Sequence, residues 1–361
     1  MSLHRVIISG GGTGGHIFPA VAIANEIRAQ HPDCNILFVG ANGRMEMTRV
    51  PEAGYRIEGL DIAGLQRKLD PKNLLLPFKV IKSYRQARSI LKKFDPQIAI
   101  GVGGYASAPL LFAAQRMGIP TLIQEQNSYA GLTNKILARR AQKICVAYEG
   151  MESYFPKDKI ILTGNPVRGE MVQWKGKEEE ARTTFSLDKD KPVVLAIGGS
   201  LGARSINEAL YASLDRFRDA GVQLLWQTGK AFAQKAADAS GNGIHTLPFI
   251  QRMDLAYAAA DIIISRAGAL SISELSLVGK PCILVPSPNV AEDHQTKNAQ
   301  VLVKAGAALS VRDTEASAIL VDEALTLLRK KELCATLSEH ILSLGIGDAA
   351  TRIKKEIDQL V

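Results

Sequence analysis

The 361-residue sequence has few of the features that place a chain outside the cell or across a membrane. Its four cysteines, Cys34, Cys145, Cys282 and Cys334, are far apart and form no Cys-x-x-Cys pair. They predict buried thiols in a reducing compartment rather than a disulfide framework or a metal site. No apolar run approaches the ~18 residues of a membrane-spanning helix. The six histidines lack metal-ligand spacing, and the first residues do not resemble a signal peptide, so we expect a cytoplasmic protein without a structural metal.

The charges are distributed unequally along the chain. The whole sequence has a formal net charge of +8. Residues 1–168 hold 22 Lys and Arg against 12 Asp and Glu, a net charge of +10, which leaves −2 for the remainder. Solubility is the plainer explanation, but the asymmetry points to an anionic partner for the first half.

Short β-branched runs alternate with longer helical patterns, which predicts βαβ units and parallel sheets with helices on both faces. The length favours two domains, and the Gly-Asn-Pro-Val-Arg stretch at 164–168, followed by a charged helical stretch at 175–182, marks the boundary. The sequence therefore predicts an α/β protein with two Rossmann-like domains, 1–164 and 165–345, whose sheets face a cleft. The expected strands are 5–9, 35–40, 97–102, 121–124, 144–147, 160–163, 193–197, 223–227, 261–265, 282–285 and 308–311.

Glycine-rich loops follow several predicted strands. The loop at 10–16 precedes a helix with Pro19 in its expected first turn. Three similar loops lie at 101–104, 198–203 and 266–269. Each alone is explained by a tight turn, but four loops beside helix N-termini predict binding of phosphate groups.

The spacing Gly10-x-Gly12-x-x-Gly15 also fits a dinucleotide site, but this pattern alone is weak evidence. The predicted second strand, 35–40, ends without the acidic residue that would hold a ribose, which argues against NAD.

His16 is the leading candidate for chemistry, because an imidazole just before a helix can take a proton from an attacking hydroxyl. A histidine that only binds the loop or a phosphate is an equal alternative. The sequence Ser271-Ile272-Ser273-Glu274 fits a capping box, and Glu274 is otherwise a candidate for binding a ribose. Gln295 and Asn298 share one helix face and either bind sugar hydroxyls or face solvent. Asn127 either forms a turn or contacts substrate.

The segment 72–94 carries two helical stripes. Val80, Tyr84, Ala87, Leu91 and Phe94 are expected to face the core. The second stripe is apolar at one end and basic at the other, and comprises Leu74, Phe78, Ile81, Arg85, Arg88 and Lys92. A cationic solvent face is the plainer explanation, but the apolar residues favour contact with a membrane surface by Leu74, Phe78, Ile81 and Arg85.

Several motifs in order resemble those of the MurG family, whose members transfer N-acetylglucosamine (GlcNAc) from UDP-GlcNAc to undecaprenyl-diphospho-N-acetylmuramyl-pentapeptide. The resemblance covers essentially the whole chain. The motifs stand at 11–16, 103–105, 125–127, 130–135, 164–168, 198–200, 202–203 and 266–274.

The resemblance implies a GT-B fold and inverting transfer without a cofactor or metal, with His16 as the general base. It implies that Glu274 holds the ribose, that Ile250 lies by the uracil and that Gln295 contacts the GlcNAc hydroxyls. It also implies that a last helix at about 346–361 packs against the first domain. The donor contacts carried over are Thr13, Gly14, Gly15, Asn127, Arg168, Ser200, Ile250, Ala269, Leu270, Ser271, Ile272, Ser273, Glu274 and Gln295. One departure is His294, where many members carry a second glutamine before Gln295.

The partners implied are UDP-GlcNAc and the lipid-linked acceptor, with peripheral attachment to the cytoplasmic side of the inner membrane and no nucleic acid. A non-hydrolysing UDP-GlcNAc 2-epimerase of the same fold is the main alternative. A nicotinamide-dependent oxidoreductase and a non-catalytic lipid-binding protein are further ones.

Overall fold

The computed structural model describes residues 3–62, 76–167, 169–199 and 201–361. Leu74, Arg168 and Ser200 lie outside these residues, as does the side chain of Phe78. The chain divides into unit 1, Met1–Val167 with Gly347–Val361, and unit 2, Arg168–Ile346.

Unit 1 is built on a parallel sheet. Its strands are β1 (Arg5–Ser9), β2 (Asn35–Ala41), β3 (Arg56–Leu60), β4 (Ile98–Gly101), β5 (Thr121–Glu125), β6 (Lys143–Val146) and β7 (Ile160–Leu162). Its first helices are α1 (Gly14–Gln30), α2 (Glu46–Glu52), α3 (Leu76–Phe94), α4 (Ser107–Arg116) and α5 (Leu132–Ala138). The seven strands run in the order β3-β2-β1-β4-β5-β6-β7. Helices cover both faces, which explains why β1 and β4 read as continuous apolar runs.

Unit 2 repeats this plan with six strands in the order β10-β9-β8-β11-β12-β13. The strands are β8 (Val193–Ile197), β9 (Gln223–Gln227), β10 (Ile244–Leu247), β11 (Ile262–Ser265), β12 (Cys282–Leu284) and β13 (Leu309–Ser310). The helices are α6 (Gly169–Val172), α7 (Glu178–Thr184), α8 (Arg204–Tyr211), α9 (Leu214–Asp219), α10 (Lys230–Ala237), α11 (Met253–Ala259), α12 (Ala269–Val278), α13 (His294–Lys304), α14 (Ala316–Arg329) and α15 (Lys331–Ser343).

The last helix, α16 (Ala349–Asp358), belongs to unit 1. Ile353 and Ile357 are fully buried in the same apolar cluster as Ile23 and Ile27 of α1. Lys143 on β6 forms an ion pair with Glu356 at 3.0 Å. The end of the chain therefore completes the core of the unit in which the chain begins.

The predicted α/β class and parallel sheets are confirmed, but two strands were missed. β3 and β10 each lie at the edge of their sheet. The residues of β3 are mostly half-exposed, and only Ile244 of β10 is buried. An edge strand has one neighbour and little buried surface, so its sequence lacks the apolar run that identifies a central strand.

Both sheets reverse direction in their strand order, between β1 and β4 in unit 1 and between β8 and β11 in unit 2. In open α/β sheets, ligands bind beyond the carboxyl ends of the strands at such a reversal. The four glycine loops of the sequence follow these four strands. Each unit therefore places two glycine loops at the position where this fold binds ligands.

Candidate active site

The first glycine loop leads directly into α1. Thr13 has an extended backbone and is the residue before the helix, and its carbonyl accepts the N–H groups of His16 and Ile17 at 3.1 and 3.2 Å. His16 thus lies in the first turn of α1, not before the helix as predicted. Pro19 lies in the second turn, also contrary to prediction, and its missing N–H removes the helical donor to the Gly15 carbonyl.

The imidazole of His16 is held by this loop. Its Nδ1 lies 3.0 Å from the Gly11 carbonyl oxygen and 3.3 Å from Thr13 Oγ1. A carbonyl oxygen only accepts hydrogen bonds, so Nδ1 carries the proton in the neutral ring and Nε2 does not. This is the tautomer that a general base needs, with Nε2 as the accepting atom.

The loop after β4 packs against the same ring. Gly103 has a φ of +88°, and a Cβ added there would lie 2.8 Å from His16 Cδ2 and 3.0 Å from Nε2. Gly104, with a φ of +80°, lies so close to Gly11 that an added Cβ would overlap the Gly11 carbonyl oxygen. The two glycine loops of unit 1 therefore form one packed structure around His16.

A third loop, after β5, is organised by the buried carboxylate of Glu125. It accepts the main-chain N–H groups of Asn127 and Gly131, each at 3.1 Å, and the amide of Asn134 at 2.8 Å. The Asn127 amide donates to the same carboxylate at 3.3 Å. Asn127 therefore has the turn-forming role that the sequence allowed, and a substrate contact remains a prediction.

In unit 2, the loop after β8 borders a cavity of about 570 Å³. α8 begins only at Arg204, so the described loop residues are 198, 199 and 201–203. The cavity is lined by Gly198, Gly199, Leu201, Gly202, Ala203, Arg204, Ser205, Glu208, Arg266, Ser287, Asn289, Gln295 and Asp313. Its volume lies in the range of small-molecule sites, and its lining is mostly polar.

Arg266, after β11, is fixed in this cavity by three partners. It forms an ion pair with Asp313, donates to Ser205 Oγ at 3.0 Å and donates to the Val285 carbonyl at 3.0 Å. Ser205 also donates to Asp313. The network links the loop after β11 to the start of α8, and sequence reasoning missed Ser205 and Asp313 because they belong to no motif.

The capping-box interpretation of residues 271–274 is wrong. α12 begins at Ala269, with Gly268 before it, so Ser271 is the third helical residue and Glu274 lies in the second turn. The Glu274 carboxylate accepts the Tyr257 hydroxyl at 3.3 Å, and Ser273 Oγ donates to the Ala269 carbonyl. The first turn of α12, which holds Ala269, Leu270, Ser271 and Ile272, presents the N–H groups that lack acceptors within a helix.

Gln295 and Asn298 lie in different environments. Gln295 lines the cavity and its Oε1 accepts the Ser287 N–H at 2.9 Å. Asn298 is fully buried and its amide donates to the Ala267 carbonyl at 3.4 Å. The prediction that both residues lie together on a solvated or sugar-binding face is therefore wrong for Asn298.

The Ile250 side chain is buried, and its contact with a uracil base remains a prediction. The Ile250 N–H donates to Gln227 Oε1 at 2.9 Å, and Gln227 Nε2 donates to the Gly199 carbonyl at 3.0 Å. One glutamine at the end of β9 therefore joins the Ile250 loop to the glycine loop.

The basic helix α3 has an exposed apolar surface next to its cations. Ile81 and Val80 are 51% and 48% exposed, so Val80 does not face the core as predicted. Ala87 and Leu91 are buried, in agreement with the predicted core stripe. Arg85 is exposed on this helix. Among the described residues, no helix has the length and apolar character needed to cross a membrane.

Both units match models of one enzyme class. Residues 6–146 match the glycosyltransferase family 28 N-terminal domain, and residues 193–353 match the glycosyltransferase family 28 C-terminal domain. The chain is thus a family 28 glycosyltransferase.

Full-length relatives narrow this class. The chain is 56% identical to the UDP-N-acetylglucosamine–N-acetylmuramyl-(pentapeptide) pyrophosphoryl-undecaprenol N-acetylglucosamine transferase of Cytophaga hutchinsonii, over 99% of this chain and 97% of that protein. It is also 56% identical to the protein of the same name from Phocaeicola vulgatus, over 99% and 96%. The crystal structure of Acinetobacter baumannii MurG is similar, with a TM-score of 0.80 and 30% identity over 99% of both chains. The chain belongs to the MurG family, and its fold is GT-B.

Other solved structures share the fold alone. A UDP-GlcNAc 2-epimerase from Neisseria meningitidis has a TM-score of 0.66 but 16% sequence identity. This likeness extends over 98% of the present chain, yet it carries no information about the reaction.

Proposed function

We propose that this protein transfers GlcNAc from UDP-GlcNAc to the 4-hydroxyl of undecaprenyl-diphospho-N-acetylmuramyl-pentapeptide, with inversion at the anomeric carbon. The identity of 56% over nearly the whole length of proteins with that named activity is the observation that carries this conclusion. The epimerase alternative is not favoured, because the epimerases compared share the fold at only about 15% identity.

We assign the donor to unit 2. Its diphosphate would bind the loop at 198–203 and the first turn of α12, where main-chain N–H groups and the helix dipole stabilise negative charge. Glu274 would accept the ribose hydroxyls, the main chain at Ile250 would lie by the uracil and Gln295 would contact the GlcNAc hydroxyls. The other proposed donor contacts are Thr13, Gly14, Gly15, Asn127, Arg168, Ser200, Ala269, Leu270, Ser271, Ile272 and Ser273.

We assign the general base to His16. Nε2 would remove the proton of the acceptor hydroxyl while its oxygen attacks the anomeric carbon and the bond from that carbon to the UDP oxygen breaks. UDP leaves with the bonding electrons, and the N–H groups of the donor loops offset its growing charge. The Nδ1–H bond to the Gly11 carbonyl supports this assignment, because it leaves Nε2 able to accept the proton.

We further propose that the protein attaches peripherally to the cytoplasmic side of the inner membrane through unit 1. The exposed apolar surface of α3 at Val80 and Ile81, the exposed Arg85 beside it and the net charge of +10 over residues 1–168 support this. Leu74 and Phe78 belong to the same proposed contact. Anionic headgroups would attract the cations while the apolar side chains enter the interface.

The transfer is tested by incubating the protein with radiolabelled UDP-GlcNAc and a lipid-linked muramyl-pentapeptide. We expect labelled disaccharide-lipid, and a loss of about 10²- to 10⁴-fold in kcat for His16→Ala, the usual contribution of a general base. His4→Ala is the matched control, since His4 is an exposed histidine of the same unit. Conversion of UDP-GlcNAc to its 2-epimer without acceptor, and no labelled lipid, would contradict the proposal.

A further inference from the structure

A buried carboxylate lies beneath the glycine loop that carries His16. Glu46 is the first residue of α2 and is fully buried. Its Oε2 accepts the Gly12 N–H at 2.9 Å, and its Oε1 accepts the Ala41 N–H at 3.0 Å. Such bonds to an ionised acceptor are stronger than those between neutral groups. Glu46 therefore ties the loop after β1 to the end of β2.

The surrounding backbone leaves space for this side chain. A Cβ added at Gly11 would overlap Glu46 Oε1, and one added at Gly40 would lie 2.5 Å from Glu46 Cγ. Glycine at these two positions therefore leaves the space that the Glu46 side chain occupies, and any larger residue at either position would displace the carboxylate.

The peptide group between Gly11 and Gly12 is held at both ends. Its N–H donates to Glu46, and its carbonyl oxygen accepts the Nδ1–H of His16 at 3.0 Å. Because a peptide group is conjugated, a carboxylate that accepts its N–H increases the negative charge on its oxygen. That oxygen then becomes a better acceptor for the imidazole N–H.

We propose that Glu46 is a positioning residue for the general base. Acting through the Gly11–Gly12 peptide, it holds His16 in the Nδ1–H tautomer and stabilises the imidazolium that forms when Nε2 takes the acceptor proton. The arrangement is equivalent to the carboxylate–imidazole pair of a Ser-His-Asp triad with one peptide group inserted. The inference rests on the proposed function, in which His16 is the base.

Glu46→Gln is the decisive variant. A glutamine has the same size but only one accepting oxygen, so it can keep a hydrogen bond to one of the two main-chain N–H groups. Its NH₂ group then faces the other N–H group, and two donors meet without an acceptor. We expect kcat for transfer to fall about 10- to 100-fold, because a misplacement of a reacting group by about 1 Å can cost about 10²-fold in rate. Glu52→Gln is the control, because Glu52 is an exposed glutamate of the same helix, and it should leave kcat unchanged.

Two readouts separate positioning from a merely structural role. In the His16→Ala background, Glu46→Gln should lower residual transfer less than threefold, since residues that act as a unit are not additive. Nitrogen-15 NMR of the neutral His16 ring should show Nδ1 protonated and Nε2 unprotonated in the wild type, and a mixture of tautomers in Glu46→Gln. An equal loss in both backgrounds with an unchanged tautomer would overturn the inference.

Glu46→Asp keeps the test decisive if the glutamine variant does not fold. Aspartate retains the charge but is one methylene shorter, so it should lose less kcat than Glu46→Gln and keep the Nδ1–H tautomer. A folded Glu46→Asp protein with a mixed tautomer would overturn the inference. Full transfer by His16→Ala would instead overturn the base assignment of the proposed function, while the tautomer measurement would still report on Glu46.

Discussion

Replacing Gly103 with alanine tests the contact that positions the His16 ring. Gly103 has a φ of +88°, and an alanine Cβ there would lie 2.8 Å from His16 Cδ2, well inside ordinary contact distance. The left-handed backbone conformation costs an alanine about 1–2 kcal/mol. The overlap can be relieved only by moving the imidazole or the loop.

The expected size of the effect follows from that overlap. Relief requires a shift of roughly 0.7–1.2 Å to reach normal carbon–carbon separation, and a misplacement of about 1 Å can cost up to about 10²-fold in rate. We therefore expect kcat for transfer to fall about 10- to 100-fold and the unfolding temperature of unit 1 to fall by a few degrees. UDP affinity measured by calorimetry should change less than kcat, because most proposed donor contacts lie in unit 2.

Gly118→Ala is the matched control for this variant. Gly118 lies in the same unit with a φ of +75°, but an added Cβ would meet no atom within 4 Å. It should lose similar stability and keep full kcat. Equal kcat values for the two alanine variants would refute the claim that Gly103 positions His16.

Three further outcomes are expected. Gly202→Ala should weaken UDP binding and destabilise unit 2, because an added Cβ would overlap the Thr228 carbonyl oxygen; calorimetry and thermal unfolding measure this. Burial lowers the pKa of Lys280 from its usual value near 10.5 to about 8. Between pH values of about 8 and 10.5, the folded protein therefore binds fewer protons than the unfolded chain. The unfolding free energy of the wild type relative to Lys280→Met should therefore rise between those pH values, as denaturant titrations would report. Replacing Val80 and Ile81 together with serine should weaken binding to anionic liposomes roughly tenfold or more while sparing UDP affinity.

The controls for these variants come from comparable positions. Gly221→Ala introduces a similar backbone conformation in unit 2, at a φ of +65° with no atom within 4 Å, and should retain UDP binding. Val303→Ser changes an exposed apolar residue of unit 2 and should retain liposome binding. A free energy of unfolding with the same pH dependence in the wild type and in Lys280→Met would contradict the role assigned to the burial of Lys280. Unchanged liposome binding by the Val80 and Ile81 double variant would refute the proposed membrane contact of α3.

Much of the fold was readable from local sequence. Central strands such as β1 and β8 are buried on both faces, so their apolar runs identify them without any knowledge of their neighbours. The edge strands β3 and β10 were missed because one side of each has no paired strand, and both sequences carry polar residues, with a glycine in β3. The helix starts were wrong by a few residues at His16 and Glu274. α1 begins after Thr13, whose side chain makes no capping bond to the helix, and α12 begins after Gly268, which has no side chain to cap it.

The sequence by itself determined where the glycine loops stand, because a glycine loop between a buried strand and a helix has the same place in every parallel sheet. It also identified His16 as the candidate base. The tertiary structure alone decided which tautomer that histidine adopts and which carboxylate supports it. Glu46 belongs to no recognised motif and gains its role only because Gly11 and Gly40, separated by a helix and a strand in the chain, leave room for it between them. Such a contact depends on how the ends of β1 and β2 lie side by side, which no local pattern encodes.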